Sequence, residues 1–207
     1  MKMFRKTKFC LPGIFYLVLV FLLQSFLPAW TGDENSLFEN IQLVVLAGGL
    51  VYSYKMLNNP LPDWGGSQKC LWLASCVYFF TLCYRELSYG RALFTRPDGS
   101  FYQYSDMGLY GQLVHPIVAA LIILILFLLY KAKIWKFLQL VKLSIQDFSL
   151  LLIYIYMGWL AEKGSWLWFR NTVAEEMSEL GVYLMMVYMV YEMVKVARTL
   201  KPGQKTN

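Results

Sequence analysis

Short polar segments cut this chain into six apolar runs, each close to the length that crosses a bilayer: Leu11–Trp30, Leu37–Met56, Cys70–Leu87, Leu109–Tyr130, Leu143–Leu160 and Met177–Val196. A helix rises about 1.5 Å per residue, so about 20 apolar residues traverse a hydrocarbon layer of about 30 Å. In lipid such a run has only to satisfy its own backbone hydrogen bonds, which a helix does. The runs take up most of the 207 residues, and 58% of the chain is hydrophobic. Soluble domains sit nearer about 45–50%. The expected fold class is an all-α integral membrane protein, a bundle of about six transmembrane helices in a single polytopic membrane domain over 1–207. The first run follows a basic segment, as a signal peptide does. Its length, and the lack of a small-x-small cleavage pattern in Leu27-Pro28-Ala29-Trp30, favour a retained signal anchor.

Lys and Arg placement orients the runs. With the N-terminus inside, the cytoplasmic segments carry Lys2, Arg5, Lys6, Lys8, Lys55, Lys69, Lys131, Lys133, Lys136, Lys142, Lys195, Arg198, Lys201 and Lys205, most of the 19 basic residues. Of the 13 acidic residues, only Asp63, Asp147 and Glu192 lie on that side. This is the positive-inside pattern of a bacterial inner-membrane protein with both termini cytoplasmic. The net charge of +6 thus reads as a topology signal. The basic residues are dispersed over short segments beside apolar helices, so nucleic acid is not an expected partner. Membrane lipids are, and other membrane proteins are the second class. Lys131–Gln146 alternates lysines with Ile134, Trp135, Leu138 and Val141 at near-helical spacing, which predicts a basic amphipathic segment lying at the interface or docking a partner.

Local signals subdivide the chain further. Ser36 with Glu39 and Thr172 with Glu175 match the capping-box spacing, which satisfies free N–H groups at a helix start. Gly48-Gly49 permits a close helix approach. Asn58–Gln68, with two prolines and two glycines, reads as a linker. Arg96-Pro97-Asp98-Gly99 is a turn signal among Phe94, Phe101, Tyr102 and Tyr104. Trp166-Leu167-Trp168-Phe169 resembles an interfacial aromatic belt. Cys10, Cys70, Cys76 and Cys83 contain no C-x-x-C pair and read as packing residues, not as a redox centre.

Polar side chains inside a bilayer are costly and mark functional positions. Here they gather near one predicted depth, the external ends of four runs: Glu39 and Gln42, Glu86 and Ser88, Gln112 and His115, Glu176 and Glu179. Glu176, Glu179 and Tyr183 share a helix face, as do Gln112 and His115. Glu39 and Glu175 also suit helix N-termini, where the dipole favours anions. Glu86 ends its helix, where the dipole opposes an anion, so another group must support it. His115 is the one histidine, and a histidine beside Pro116 commonly serves as a hydrogen-bonded interior residue. The candidate catalytic residues are Glu86, His115 and Glu179. Ser88, Arg91, Gln112 and Glu39 are the candidates for substrate contact. Glu86, His115, Glu176 and Glu179 are the donors a divalent ion such as Mn²⁺ or Zn²⁺ would find.

The run Arg85-Glu86-Leu87-Ser88-Tyr89-Gly90-Arg91 resembles the E-[IL]-S-[WY]-G motif of uncharacterised bacterial multi-pass inner-membrane proteins. Those chains carry an early acidic helix start, here Asp33-Glu34 through Glu39, and a terminal E-E-x-x-E helix, here Glu175-Glu176-Met177-Ser178-Glu179. Tyr89 stands where Trp is more usual. The resemblance implies a shared membrane fold and a shared carboxylate site, and implies no reaction.

Several chemistries are excluded. Alkaline-ceramidase-like zinc hydrolases need three histidines, and this chain has one. CAAX-protease-like enzymes carry E-E-x-x-x-R, and Leu180 stands at the arginine position. Paired-histidine haem ligation fails by count, and no nucleotide motif is present. Three function classes remain as expectations. The first is a non-enzymatic accessory, binding or assembly factor. The second is a membrane-embedded enzyme acting on a lipid or lipid-linked substrate at the outer leaflet, with Glu86 or Glu179 as general base and His115 as acid. The third is a small transporter, disfavoured because no carboxylate lies at mid-membrane and no repeat is visible.

Overall fold

A computed structural model describes residues 4–5, 11–32, 37–59, 61–93, 102–164 and 172–199. Among them stand seven α-helices: α1 (Leu11–Leu23), α2 (Leu37–Met56), α3 (Gln68–Glu86), α4 (Gly108–Lys131), α5 (Ile134–Val141), α6 (Ile145–Lys163) and α7 (Thr172–Thr199). A two-residue parallel ladder joins β1 (Phe4–Arg5) to β2 (Leu143–Ser144). The all-α class is therefore observed. Among the described residues, three stretches are long and apolar enough to cross a membrane: Ala29–Met56, Tyr104–Lys131 and Thr172–Thr199. Cys10, Ser36, the turn at 96–99 and the aromatic run at 166–169 lie outside the described residues.

Most helix limits follow the apolar runs, and the departures have local causes. α1 stops at Leu23, short of the Trp30 that hydropathy alone suggests. The chain turns at Gln24–Phe26, and Pro28 cannot continue a helix, so Ala29–Gly32 forms a 3₁₀ turn instead. The basic amphipathic segment is helical only over Ile134–Val141. Lys133 and Lys142 bracket it with φ of 50° each, a left-handed geometry that breaks the helix at both ends. Its Phe137 is buried, with the Trp64 ring 4.9 Å away. α3 starts at Gln68, two residues before the expected run, with Ser67 Oγ accepting from the Cys70 N–H. α7 begins at Thr172, the first residue of the Thr172–Glu175 capping pattern.

The described chain forms two compact units. The first holds α1, the start of α2 through Val45, Leu61–Trp64, α5, α6, α7 and the β ladder. Its core joins Val20, Phe38, Met157, Ala161, Val173, Ala174, Met177 and Leu180. Small residues let the backbones close. A Cβ on Gly181 would lie 2.4 Å from the Tyr154 ring, and one on Gly32 would lie 2.6 Å from the Val173 nitrogen. Tyrosine hydroxyls pin the helices: Tyr16 donates to Met177 O (2.9 Å) and Tyr154 to Gly13 O (2.5 Å). Small residues and polar cross-links of this kind associate helices where water supplies no driving force.

The second unit holds the rest of α2, α3, α4 and the turns between α3 and α4. Ser53 Oγ donates to Gly49 O (2.8 Å), so the Ser75 hydroxyl is the donor across the 2.7 Å Ser75–Ser53 bond. Of the Gly48-Gly49 pair only the second makes a close contact. A Cβ on Gly49 would sit 2.7 Å from the Phe79 ring, which is buried, whereas a Cβ on Gly48 meets nothing within 4 Å. The same substitution should therefore have opposite signs at adjacent residues. Gly49→Ala should cost about 1–3 kcal/mol by overpacking. Gly48→Ala should gain up to about 1 kcal/mol of helix propensity. Thermal unfolding in detergent reads both.

Candidate functional site

The polar residues singled out from the sequence divide between the two units, and each group has its own geometry. In the second unit they surround the turn that follows α3. Glu86 is buried at the helix end, and Arg85 Nε lies 3.8 Å from its Oε1, a loose charge pair that answers the opposing helix dipole. The chain then takes left-handed φ at three consecutive residues, 47° at Ser88, 53° at Tyr89 and 87° at Gly90. The first two carry a Cβ, so each costs about 1–2 kcal/mol.

Tyrosines hold this turn. Tyr104 OH donates to Ser88 O (3.1 Å), and Tyr110 OH donates to Tyr89 O (2.6 Å). Tyr110 has one hydroxyl proton, so Tyr84 must be the donor in its 2.6 Å bond to Tyr110. Gly90 is required twice over, by its φ and because a Cβ there would lie 2.4 Å from the Tyr110 hydroxyl. Gly111 leaves room for Tyr104, whose carbonyl oxygen would be 1.8 Å from a Cβ at that position. The Arg91 guanidinium lies over the Tyr104 ring, 4.9 Å from its centre, in cation–π geometry. His115 meets the same ring edge-on at 5.8 Å.

The turn thus brings Ser88, Arg91 and His115 around Tyr104. His115 is exposed on α4, which corrects the expectation of an interior hydrogen-bonded histidine, and Gln112 is exposed as well. Both belong to the N-terminal part of α4, ahead of Pro116.

In the first unit Glu39, Glu175, Glu176 and Glu179 are half-buried in the opening turns of α2 and α7. Gln42 is fully buried, and its Nε2 donates to both Glu176 O (3.0 Å) and Glu176 Oε2 (2.9 Å). Glu162 accepts from Lys163 Nζ at 2.8 Å. That hydrogen bond and its charge, with a smaller pull from Glu175, hold the exposed Lys163 ammonium above its usual pKa. Exposed pairs of this kind add little stability.

The carboxylates and the imidazole do not form one cluster within a unit. Glu86 and His115 belong to the second, Glu176 and Glu179 to the first. Among the described residues, no group of three or more His, Cys, Asp or Glu side chains is arranged to hold a metal ion. Cys70, Cys76 and Cys83 are half-buried free thiols.

Sequence reasoning missed the tyrosines that do the holding. The available signal covered only one of them, Tyr110 beside Gly111, and Tyr104 has no such mark. It also passed over Asp147, which is buried near the start of α6 with its N–H donating to Ser144 Oγ (3.2 Å) and its Oδ1 unpaired. The Ser144-x-x-Asp147 spacing is a capping pattern that was legible. Comparison of the chain with family models, with curated proteins and with solved structures finds no match.

Proposed function

We propose that this chain is a multi-pass inner-membrane protein of a bacterial cell, with six transmembrane helices and both termini cytoplasmic. It acts as an accessory, binding or assembly factor whose partners are lipids and other membrane proteins. The observation that carries this reading is how its polar groups are used. Gln42 is bound to Glu176, Tyr104 to Ser88 and Tyr110 to Tyr89, so hydroxyl and amide protons go to protein carbonyls. A general base has to stand within hydrogen-bond reach of the proton it takes, with a matching acid nearby. Among the described residues, no hydrogen bond in either unit joins a carboxylate to His115 to make such a pair.

Reporter fusions after residue 207 and within 33–36 test the topology, which requires cytoplasmic and external readouts respectively. Complementation of a deletion strain by Glu86→Gln and His115→Ala tests the role. In this reading complementation follows the amount of folded protein, and His115→Ala, on an exposed residue, leaves both near wild type.

One observation favours an enzyme as the second reading. The left-handed turn at Ser88-Tyr89-Gly90 stores strain beside a buried carboxylate and a guanidinium, and strain of this kind clusters at working sites. Glu86 would then serve as base, with Ser88 and Arg91 on a lipid-linked substrate at the outer leaflet. Normal abundance of Glu86→Gln with complete loss of complementation would replace the first reading with this one.

A further inference from the structure

In the first unit, α1, α6 and α7 leave a crevice of about 200 Å³ between them. Gly13 and Tyr16 of α1, Tyr154 of α6, and Gly181, Leu184 and Tyr188 of α7 line it. Among the described residues no charged side chain does. The Tyr16 and Tyr154 hydroxyls are spent on Met177 O and Gly13 O, so they present rings to the space. It is not sealed, since Leu184 on its wall is 39% exposed. The room exceeds the cavity of about 150 Å³ that takes benzene in a soluble protein. Such walls select hydrocarbon.

The depth of the crevice says which hydrocarbon. Tyr154 lies about 14 Å along α6 from Ile145, and Tyr188 about 10 Å along α7 from Lys195, at about 1.5 Å per residue. One leaflet's hydrocarbon is about 15 Å deep. A lipid whose phosphate is level with Ile145 and Lys195 therefore passes the middle and lower part of its chain through the crevice, whose Leu184 lies about 17 Å along α7 from Lys195. At the level of that phosphate Lys142 and Lys195 are exposed. The acidic groups on that side are Asp63, which is exposed, Asp147, which is buried, and Glu192, 3.4 Å from Lys195. Basic rims beside membrane helices favour anionic headgroups.

We propose that this crevice holds an acyl chain of an anionic phospholipid, drawn from the leaflet level with Lys142 and Lys195. This rests on the membrane topology proposed above, in which that leaflet is the cytoplasmic one. The lipid fills the space between α1 and α7 and is retained with the protein, unlike the lipid that merely bathes it.

The full-length protein in phosphatidylcholine vesicles, with a trace of phosphatidylglycerol carrying a mid-chain diazirine, tests this by photolysis and peptide mapping. Labelling of Tyr16, Leu184 and Tyr188 should exceed that of Ile123 and Phe127, on the exposed face of α4, at least fivefold. The same diazirine chain on phosphatidylcholine should label the crevice at least threefold less. Leu184→Trp, which fills the mouth, should cut crevice labelling at least fivefold and leave α4 unchanged. If that variant does not enter vesicles, the wild-type ratio of crevice to α4 label decides alone. Lys142→Gln with Lys195→Gln should remove the preference for the anionic lipid while chain labelling persists. A retained preference overturns the headgroup assignment. Equal labelling of crevice and α4, or indifference to Leu184→Trp, overturns the site. Absence of label from α4 as well shows instead that the membrane reading is wrong.

Discussion

Gly111→Ala is expected to be the most damaging single-methyl change in the second unit. The added Cβ would lie 1.8 Å from the Tyr104 carbonyl oxygen and 2.7 Å from its carbon, so the obstacle is backbone and not a flexible side-chain tip. Either α4 or the segment bearing Tyr104 has to move. Moving Tyr104 breaks its bond to Ser88 O and takes the ring away from both Arg91 and His115. The strained turn then keeps only one of the two tyrosine bonds that hold it, from Tyr110 to Tyr89 O. A cost near the top of the ~1–3 kcal/mol range for overpacking is expected, with a fall in the thermal midpoint of about 6–10 °C. Gln112→Ala, one residue on and exposed, is the control and should change the midpoint little. A Gly111→Ala protein as stable as wild type would show that Tyr104 does not pack against α4 in this way.

The second large effect is expected in the first unit, from Gln42→Leu. Leucine keeps the bulk and removes the donor. Glu176 then loses two bonds at once, one to its carboxylate and one to its carbonyl. Hydrogen bonds to charged groups contribute about 1.5–3 kcal/mol, and an abandoned buried partner adds its own desolvation cost. Glu176→Gln keeps the carbonyl and an amide oxygen as acceptors and should cost about 1 kcal/mol or less. The double variant Gln42→Leu/Glu176→Gln should be non-additive, because the two residues share one interaction. Denaturation of the four proteins under one detergent condition gives the cycle. Additive losses would mean that Gln42 and Glu176 do not work as a pair, and the structural use of these polar groups would lose its main support.

How legible the molecule was depends on range. Hydropathy is a local property, so α2, α4 and α7 could be placed from the sequence, and α3 and α6 start within two residues of the expected runs. Proline chemistry is local too. Pro28 explains the early end of α1, although average hydropathy hides it. What could not be read was which of two equivalent residues would be used. Gly48 and Gly49 are the same amino acid in the same helix, yet only Gly49 faces Phe79. Composition also says nothing about backbone hand. A left-handed Ser88 and Tyr89 are improbable in isolation and exist because tyrosines elsewhere in the second unit bind their carbonyls.

The candidate site shows the same division. Glu39, Glu86, His115, Glu176 and Glu179 were all found by one rule, that polar groups in apolar helices are expensive. That rule finds residues without assigning partners. The bond from Gln42 to Glu176 spans 134 positions and that from Tyr16 to Met177 spans 161. By itself the sequence determined the helical class, the main apolar runs and the positions of the costly polar groups, since each follows from nearest-neighbour chemistry. Only the tertiary structure decided that the glutamates divide between two units, that Tyr104 gathers Ser88, Arg91 and His115, and that three helices leave a tyrosine-walled crevice. Those outcomes depend on side chains distant in the chain meeting at ångström range, and no local pattern encodes that meeting.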